Sequence, residues 1–291
     1  MNSLFKKISS SLFISCLIAL TCASGLHAAE RQELRLWPEF APGETNDKNG
    51  PRLYLYQPEK KTSDSIMLIF PGGGYHGLAI DHEGWKIAEY FNKQGVTAAV
   101  LKYRVPRRKG MPKHMAAWQD AQRAVRIIRS NATKWNINPE KIAALGFSAG
   151  GHLTLMTSTT SQTPAYKAID ELDKLPCHVN FAVPVYPAYV LEDGSNGPNK
   201  GKGNDSTIVK DFKFDSKTPP MCLIHGDTDQ YSAMGSVAIY HKLRTKQIPA
   251  ELHIFAKVGH GFGANPTLRP NNKHIGDWLN RSYEALKVFG F

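Results

Sequence analysis

Residues 142–151 read Ile-Ala-Ala-Leu-Gly-Phe-Ser-Ala-Gly-Gly, and no other stretch narrows the possible folds as much. A continuous apolar run ending in a glycine-rich turn is the pattern of a short strand buried on both faces. Residues 150–157 then open as a helix. A strand that turns into a helix at a serine leaves little room, so the residues flanking the serine must be small. Gly146, Ala149, Gly150 and Gly151 meet that demand. The first turn of the following helix would aim backbone N–H groups at the serine oxygen. The competing explanation is a glycine-rich turn packed for shape alone.

The rest of the chain repeats this rhythm. Buried strands are expected at residues 66–70, 96–101, 142–147, 181–185, 221–224 and 251–255. Helices are expected at 86–93, 114–135, 150–157, 236–246 and 275–288. Such alternation implies an α/β protein with a mostly parallel central sheet and helices on both faces. Residues 30–65 add one or two antiparallel strands, with 52–56 the best candidate. The stretch 192–206 (EDGSNGPNKGKGNDS) is poor in apolar residues and reads as a long loop over the sheet end. A solvated insertion and a substrate lid fit it equally well. No linker splits the chain, so residues 30–291 form a single domain.

A serine hydroxyl is a poor nucleophile at neutral pH and needs a base, which in turn needs an orienting acid. Both are available at the carboxyl ends of later strands, where ligands gather in such sheets. His225-Gly226-Asp227-Thr228-Asp229 follows the strand at 221–224, and Val258-Gly259-His260-Gly261-Phe262 follows the strand at 251–255. The expected triad is Ser148, His260 and Asp229. Asp227 is the rival acid, but lies nearer the strand and suits a local turn better. An oxyanion would be held by the N–H of Ala149 and by those of Gly73 and Gly74, in the loop Pro71-Gly72-Gly73-Gly74-Tyr75. That loop lacks the G-K-[ST] ending of a phosphate-cradling loop. Tyr75 and His76 follow the glycines and are candidates for touching substrate. His152 and His225 are expected to pack or hydrogen-bond locally. Asp81-His82-Glu83-Gly84 reads as a helix N-cap with acids at the positive helix end. Arg104 or Arg107 could contact an anionic sugar, and plain solvated charge is an equal reading.

Residues 1–29 have the pattern of a secretory signal peptide: Lys6 and Lys7, an apolar run from Leu12 to Ala23, then small residues to Ala29. Export to the periplasm or beyond is the expectation, with no membrane span after cleavage. Cleavage lowers the formal charge from +11 to +9, since two lysines and no acid are lost. It leaves Cys177 and Cys222, which read as buried small residues rather than a disulfide framework. No metal site or cofactor is expected from cysteine and histidine spacing. The basic residues are scattered rather than striped, so nucleic acid is not an expected partner. Acidic polysaccharide or an anionic envelope surface suits an exported basic protein better.

Several segments together resemble the bacterial secreted esterases of the α/β-hydrolase superfamily, in particular those of the acetylxylan esterase or carbohydrate esterase type. They are Leu36-Trp37-Pro38-Glu39 with Ala41-Pro42-Gly43, PGGGY (71–75), LAIDHEG (78–84), VLKYR (100–104), WQDAQRA (118–124), GFSAGGH (146–152) and GHGF (259–262). The resemblance implies the α/β-hydrolase fold, a Ser–Asp–His triad, and a short acyl ester of a polysaccharide or oligosaccharide as substrate. One departure stands out: the group often follows its acid with Val-Pro, and here Asp229 precedes Gln230-Tyr231. A feruloyl or general carboxylesterase would differ only in the acyl pocket. A peptidase of the prolyl-oligopeptidase type shares the triad order but normally carries a propeller, for which the 36 residues before the core leave no room. A non-catalytic binding module usually loses the serine or the histidine.

Overall fold

The strands in the middle of the chain are apolar along their whole length because both of their faces are covered. The computed structural model describes residues 31–46, 50–192, 207–264 and 275–291. Residues 1–29, and residues 193–206 of the expected long loop, lie outside the described residues. Eight strands form one sheet: β1 (Arg31–Arg35), β2 (Arg52–Tyr56), β3 (Ile66–Phe70), β4 (Thr97–Lys102), β5 (Ile142–Phe147), β6 (Phe181–Val185), β7 (Met221–Gly226) and β8 (Ala250–Phe255). Their order is β1-β2-β4-β3-β5-β6-β7-β8. The first two strands are antiparallel and β4, β3, β5, β6, β7 and β8 run parallel.

Alternate side chains serve opposite faces, as the pleat requires. Ile66, Leu68, Phe70, Ala144 and Leu223 join one core with α2 (Met115–Ser130), α3 (Ala149–Thr159) and α4 (Met234–Thr245). Met67, Ile69, Leu145, Val183 and Ile224 join a second core with α1 (Lys86–Lys93) and α5 (Trp278–Val288). The helix expected over 114–135 ends earlier, at Ser130. There the Asn131 amide donates to the Ile127 carbonyl, and the chain turns away. Every residue of α3 is buried. Its Thr154, Thr157, Ser158 and Thr159 hydroxyls donate to carbonyls one turn earlier, which keeps them satisfied in an apolar setting. Cys177 and Cys222 are free and buried.

Two features of this architecture place the site. The chain passes from β3 to β4 on one side and then crosses to β5 on the other, so the strand order reverses between β3 and β5, the place where ligands gather at the carboxyl ends of such sheets. The lead-in segment is tied to the rest by a buried ion pair. Asp120 of α2 accepts from the Trp37 indole at 2.9 Å and from the Arg104 side chain at 3.0 Å. Arg104 also donates to the Pro42 and Ala116 carbonyls and to Gln119. Its side chain is 1% exposed, so the expectation that it meets an anionic sugar is overturned: its donors serve the fold.

Removing one partner of a buried pair strands the other without compensation. Arg104→Ala is expected to destabilise the protein by about 3–5 kcal/mol in urea unfolding. A loss below about 1 kcal/mol, the ordinary worth of an exposed pair, would contradict this placement.

Candidate active site

Ser148 stands at the β5–α3 junction with φ +53°, a region side chains other than glycine rarely adopt. The close approach around it explains the glycines. A Cβ on Gly146 would lie 2.2 Å from the Gly150 carbonyl oxygen, and one on Gly150 would lie 2.0 Å from that of Phe70. The Ser148 N–H donates to the Val185 carbonyl, which fixes the turn against β6.

His260 lies between the serine and a carboxylate. Its Nε2 is 2.8 Å from Ser148 Oγ, and its Nδ1 is 2.8 Å from Asp229 Oδ2 and 2.9 Å from Oδ1. A carboxylate only accepts, so Nδ1 carries the proton and Nε2 is left to accept from the serine. Asp229 is itself fixed: Oδ1 accepts from the Tyr231 N–H at 2.7 Å, and its side chain is wholly buried. Burial works to raise the Asp229 carboxyl, but hydrogen bonds and charge from His225 and His260 outweigh it and hold it below the ordinary carboxylate range. Asp227, the rival acid, is exposed, and among the described residues only its N–H is engaged, by the Phe255 carbonyl.

The glycine loop after β3 passes directly beside the serine, since a Cβ on Gly72 would come within 3.1 Å of Ser148 Cβ. Gly73 and Gly74 take positive φ angles of 131° and 64°. Among the described residues, the N–H groups of Gly73, Gly74 and Ala149 meet no acceptor, so all three remain available to an oxyanion. The structure does not bring Tyr75 to the crevice. Its ring is buried and its hydroxyl pairs with His152 Nδ1 at 2.9 Å, so it backs the loop rather than facing substrate. His76 is exposed beside Gly74, and its N–H donates to Gly73. His225 does more than pack. Its Nε2 donates to the Tyr231 carbonyl and its Nδ1 accepts from Ser236, which braces the Asp229 turn. Two groups could reach a common cation, His114–His152–Asp211 and Cys222–Glu251–His253, each with its ligand atoms within 4.8 Å of one another. In both, a histidine already has a partner: Tyr75 for His152 and Glu251 for His253.

Sequence reasoning missed Glu83. The expected N-cap is instead a π-helical turn, Asp81–Trp85, that points this carboxylate inward. Glu83 Oε2 accepts from the Gly72 N–H at 2.8 Å and Oε1 from the Tyr186 hydroxyl at 2.7 Å. The Tyr186 oxygen accepts in turn from the Gly263 N–H at 2.9 Å. One buried acid thus links the glycine loop, the end of β6 and the loop carrying His260. Only its place in the LAIDHEG segment hinted at this. Tyr189 and Tyr231, whose rings flank the site, were also missed. Tyr231 lies 4.7 Å from the His260 ring and Tyr189 stands 5.7 Å further on.

A parallel-centred sheet with a serine at the β5–α3 turn and a histidine and acid on later loops is an α/β-hydrolase. Within that class the chain belongs to the BD-FAE family, whose model matches residues 53–243. It is similar in structure to the acetyl ester-xyloside bifunctional hydrolase of Caldicellulosiruptor lactoaceticus, at 30% identity and TM-score 0.72. That match covers 89% of this chain and 97% of that one. It is 26% identical to an acetylxylan esterase of Xylanibacter ruminicola over 92% of this chain and 54% of that protein. It is also 27% identical to endo-1,4-beta-xylanase B of Butyrivibrio fibrisolvens, over 80% of this chain and 37% of that protein. The chain spans about half or less of the length of these two relatives. Of these three, the first two are named for ester hydrolysis.

Two expectations follow from the geometry. Glu83→Ala leaves the Gly72 and Tyr186 donors unpaired at both ends of the brace. It is expected to lower kcat on an acetyl ester by about 10- to 100-fold, on the scale of lost supporting interactions, and to lower the melting temperature; wild-type values for both would contradict the brace. The second concerns pH. Burial first, then the charges of His114 and Lys113, hold His152 well below the ordinary histidine value. His114 is lowered too, by burial and Lys113 against the pull of Asp211. The folded state therefore binds fewer protons than the unfolded state once the pH falls below about 6.5, the ordinary histidine value. Stability should fall with pH there, by up to about 1.4 kcal/mol per pH unit for each histidine. Urea midpoints between pH 7.5 and 5 check this, and His152→Gln should flatten the slope.

Proposed function

We propose that this protein is an exported carbohydrate esterase that removes short acyl groups, acetyl foremost, through an acyl-enzyme on Ser148. The observation that carries this is the unbroken chain of hydrogen bonds from Asp229 through His260 to Ser148, set beside three N–H groups that meet no acceptor among the described residues. Ser148 Oγ attacks the ester carbonyl while His260 Nε2 takes its proton. Asp229 holds the ring and stabilises the imidazolium that forms. Charge developing on the carbonyl oxygen is met by Gly73, Gly74 and Ala149. His260 then gives its proton to the sugar oxygen as the bond from that oxygen to the acyl carbon breaks, so the sugar leaves as a free hydroxyl. Water, deprotonated by His260, attacks the acyl-enzyme, releases acetate and returns the proton to Ser148.

The choice of carbohydrate as the alcohol draws on the relatives, whose names concern acetylxylan and xylosides. Export draws on residues 1–29. Among the described residues, no helix is long and apolar enough to cross a membrane.

Acetate release from acetylated xylan and 4-nitrophenyl acetate is the test. Ser148→Ala is expected to lower kcat by roughly four to six orders of magnitude, as loss of a serine nucleophile does. Activity that survives in Ser148→Ala would overturn the mechanism. The same full-length chain, expressed in an exporting host, should be recovered with an N-terminus near residue 30.

A further inference from the structure

Behind the glycine loop lies a second cluster of titratable groups that the ester chemistry does not use. One ring nitrogen of His114, one of His152 and a carboxylate oxygen of Asp211 lie within 4.8 Å of one another. The two histidines are buried, at 5% and 1% exposure, and Asp211 is exposed, so it forms the solvent side of the cluster. Sequence spacing hides this grouping, because its members come from the residue before α2, from α3 and from the segment before β7.

Each member has a ligand atom to spare. Among the described residues, the His114 ring nitrogens and the Asp211 carboxylate have no hydrogen-bond partner. His152 engages the Tyr75 hydroxyl through Nδ1 at 2.9 Å, and its Nε2 meets no partner there either. The members are also held in place. His152 sits on α3, and its backbone N–H donates to the Ser148 carbonyl one turn earlier. The Asp211 carbonyl accepts from Thr160 Oγ1, just past the end of that helix, at 3.1 Å. Aromatic rings flank the histidines: Trp118 stands 6.1 Å from His114 and Phe212 5.2 Å from His152, centre to centre. Burial first holds the His114 imidazole below its ordinary value. After it come the Asp211 charge, which draws positive charge toward the ring, and then the opposing charge of Lys113. Two imidazoles and one carboxylate suit zinc and its neighbours in the first transition row better than magnesium or calcium, which take oxygen ligands.

We propose that His114, His152 and Asp211 bind a divalent transition metal ion, zinc above all, and that the bound ion braces the glycine loop through Tyr75. Three protein ligands leave the remaining position to water. With the metal on His152 Nε2, Nδ1 keeps its proton and donates to the Tyr75 oxygen, which fixes the tautomer and the ring. Tyr75 follows Gly73 and Gly74 directly, so an ion that immobilises His152 also steadies the end of that loop. The proposal does not rest on the esterase function, since the ion can bind whether or not an ester is cleaved.

The full-length chain, stripped of metal with a chelator, is titrated with Zn²⁺ by calorimetry and with Co²⁺ followed by its visible absorption. One equivalent is expected to bind, with the ligand-field bands of a four-coordinate Co²⁺ ion. Zn²⁺ at about 100 times its Kd should raise the melting temperature by several degrees. His114→Gln and Asp211→Asn should each weaken Zn²⁺ binding by about 100-fold or more, since even the outer partners of a ligand are worth about 10- to 100-fold. Asp211 is exposed, so Asp211→Asn should melt as the metal-free wild type does, which keeps the test open should His114→Gln fail to fold. His253→Gln, in the other group that could reach a cation, should leave the affinity unchanged. Amide exchange over residues 70–79, read by mass spectrometry, should slow when Zn²⁺ binds. Tyr75→Phe should bind Zn²⁺ about 10- to 100-fold more weakly and, once saturated, should no longer show that slowing. Absence of stoichiometric binding, binding that both His114→Gln and Asp211→Asn leave intact, or binding lost in His253→Gln instead, overturns the proposal. Binding with unchanged exchange over residues 70–79 overturns the brace.

Discussion

The Phe70 carbonyl oxygen at the end of β3 would lie 2.0 Å from a Cβ on Gly150, nearer than any side chain tolerates, and that backbone-to-backbone contact fixes the geometry of the whole catalytic end. Through it the first turn of α3 is pressed against the loop that leaves β3. The loop is thereby held within reach of Ser148, so that N–H groups from two separate elements can face one oxygen. The cost is local strain. Ser148 takes a positive φ that it would not hold in an isolated peptide, and the surrounding sheet enforces it through β5, β6 and the wholly buried helix α3.

The same constraint explains why the support around the site is polar and buried. Loops that must come this close cannot be held apart by bulky apolar packing. Glu83 instead draws the glycine loop, β6 and the histidine loop together through Gly72, Tyr186 and Gly263. His225 does the corresponding work for the acid turn, bonding Ser236 of α4 and the Tyr231 carbonyl. Each donor in these braces meets an acceptor, which is what makes buried polar groups tolerable. Loop-borne catalytic groups therefore gain the fixed positions that strands and helices would otherwise give them.

Much of the scaffold is legible in the sequence, because strands buried on both faces must be apolar throughout. Ile66–Phe70, Ile142–Phe147 and Phe181–Val185 announce themselves in this way. The serine is legible for a related reason: only small residues fit its turn, and they leave a motif. What stays hidden is any role set by contacts between distant segments. Glu83 looks like an N-cap because acids before helices usually are, and nothing local reveals that a π-helical turn redirects it inward. Tyr75 follows three glycines and looks exposed, yet its partner His152 lies on α3, far along the chain. Arg104 resembles a crevice cation at the end of β4, and its burial depends on Asp120 of α2 and on the lead-in segment at Pro42.

Arg104 and Arg107 show how the backbone divides labour between similar residues. Both follow β4, three positions apart, and both carry the same charge. Arg104 still lies under the lead-in segment, where Asp120 and several carbonyls consume its donors. By Arg107 the chain has turned toward the crevice, and its backbone N–H bonds the residue after the glycines. A planar cation is held inside the fold in one case and exposed in the other. Because the Arg107 N–H donates to the Tyr75 carbonyl, the loop after β4 is tied to the loop after β3 that offers Gly73 and Gly74.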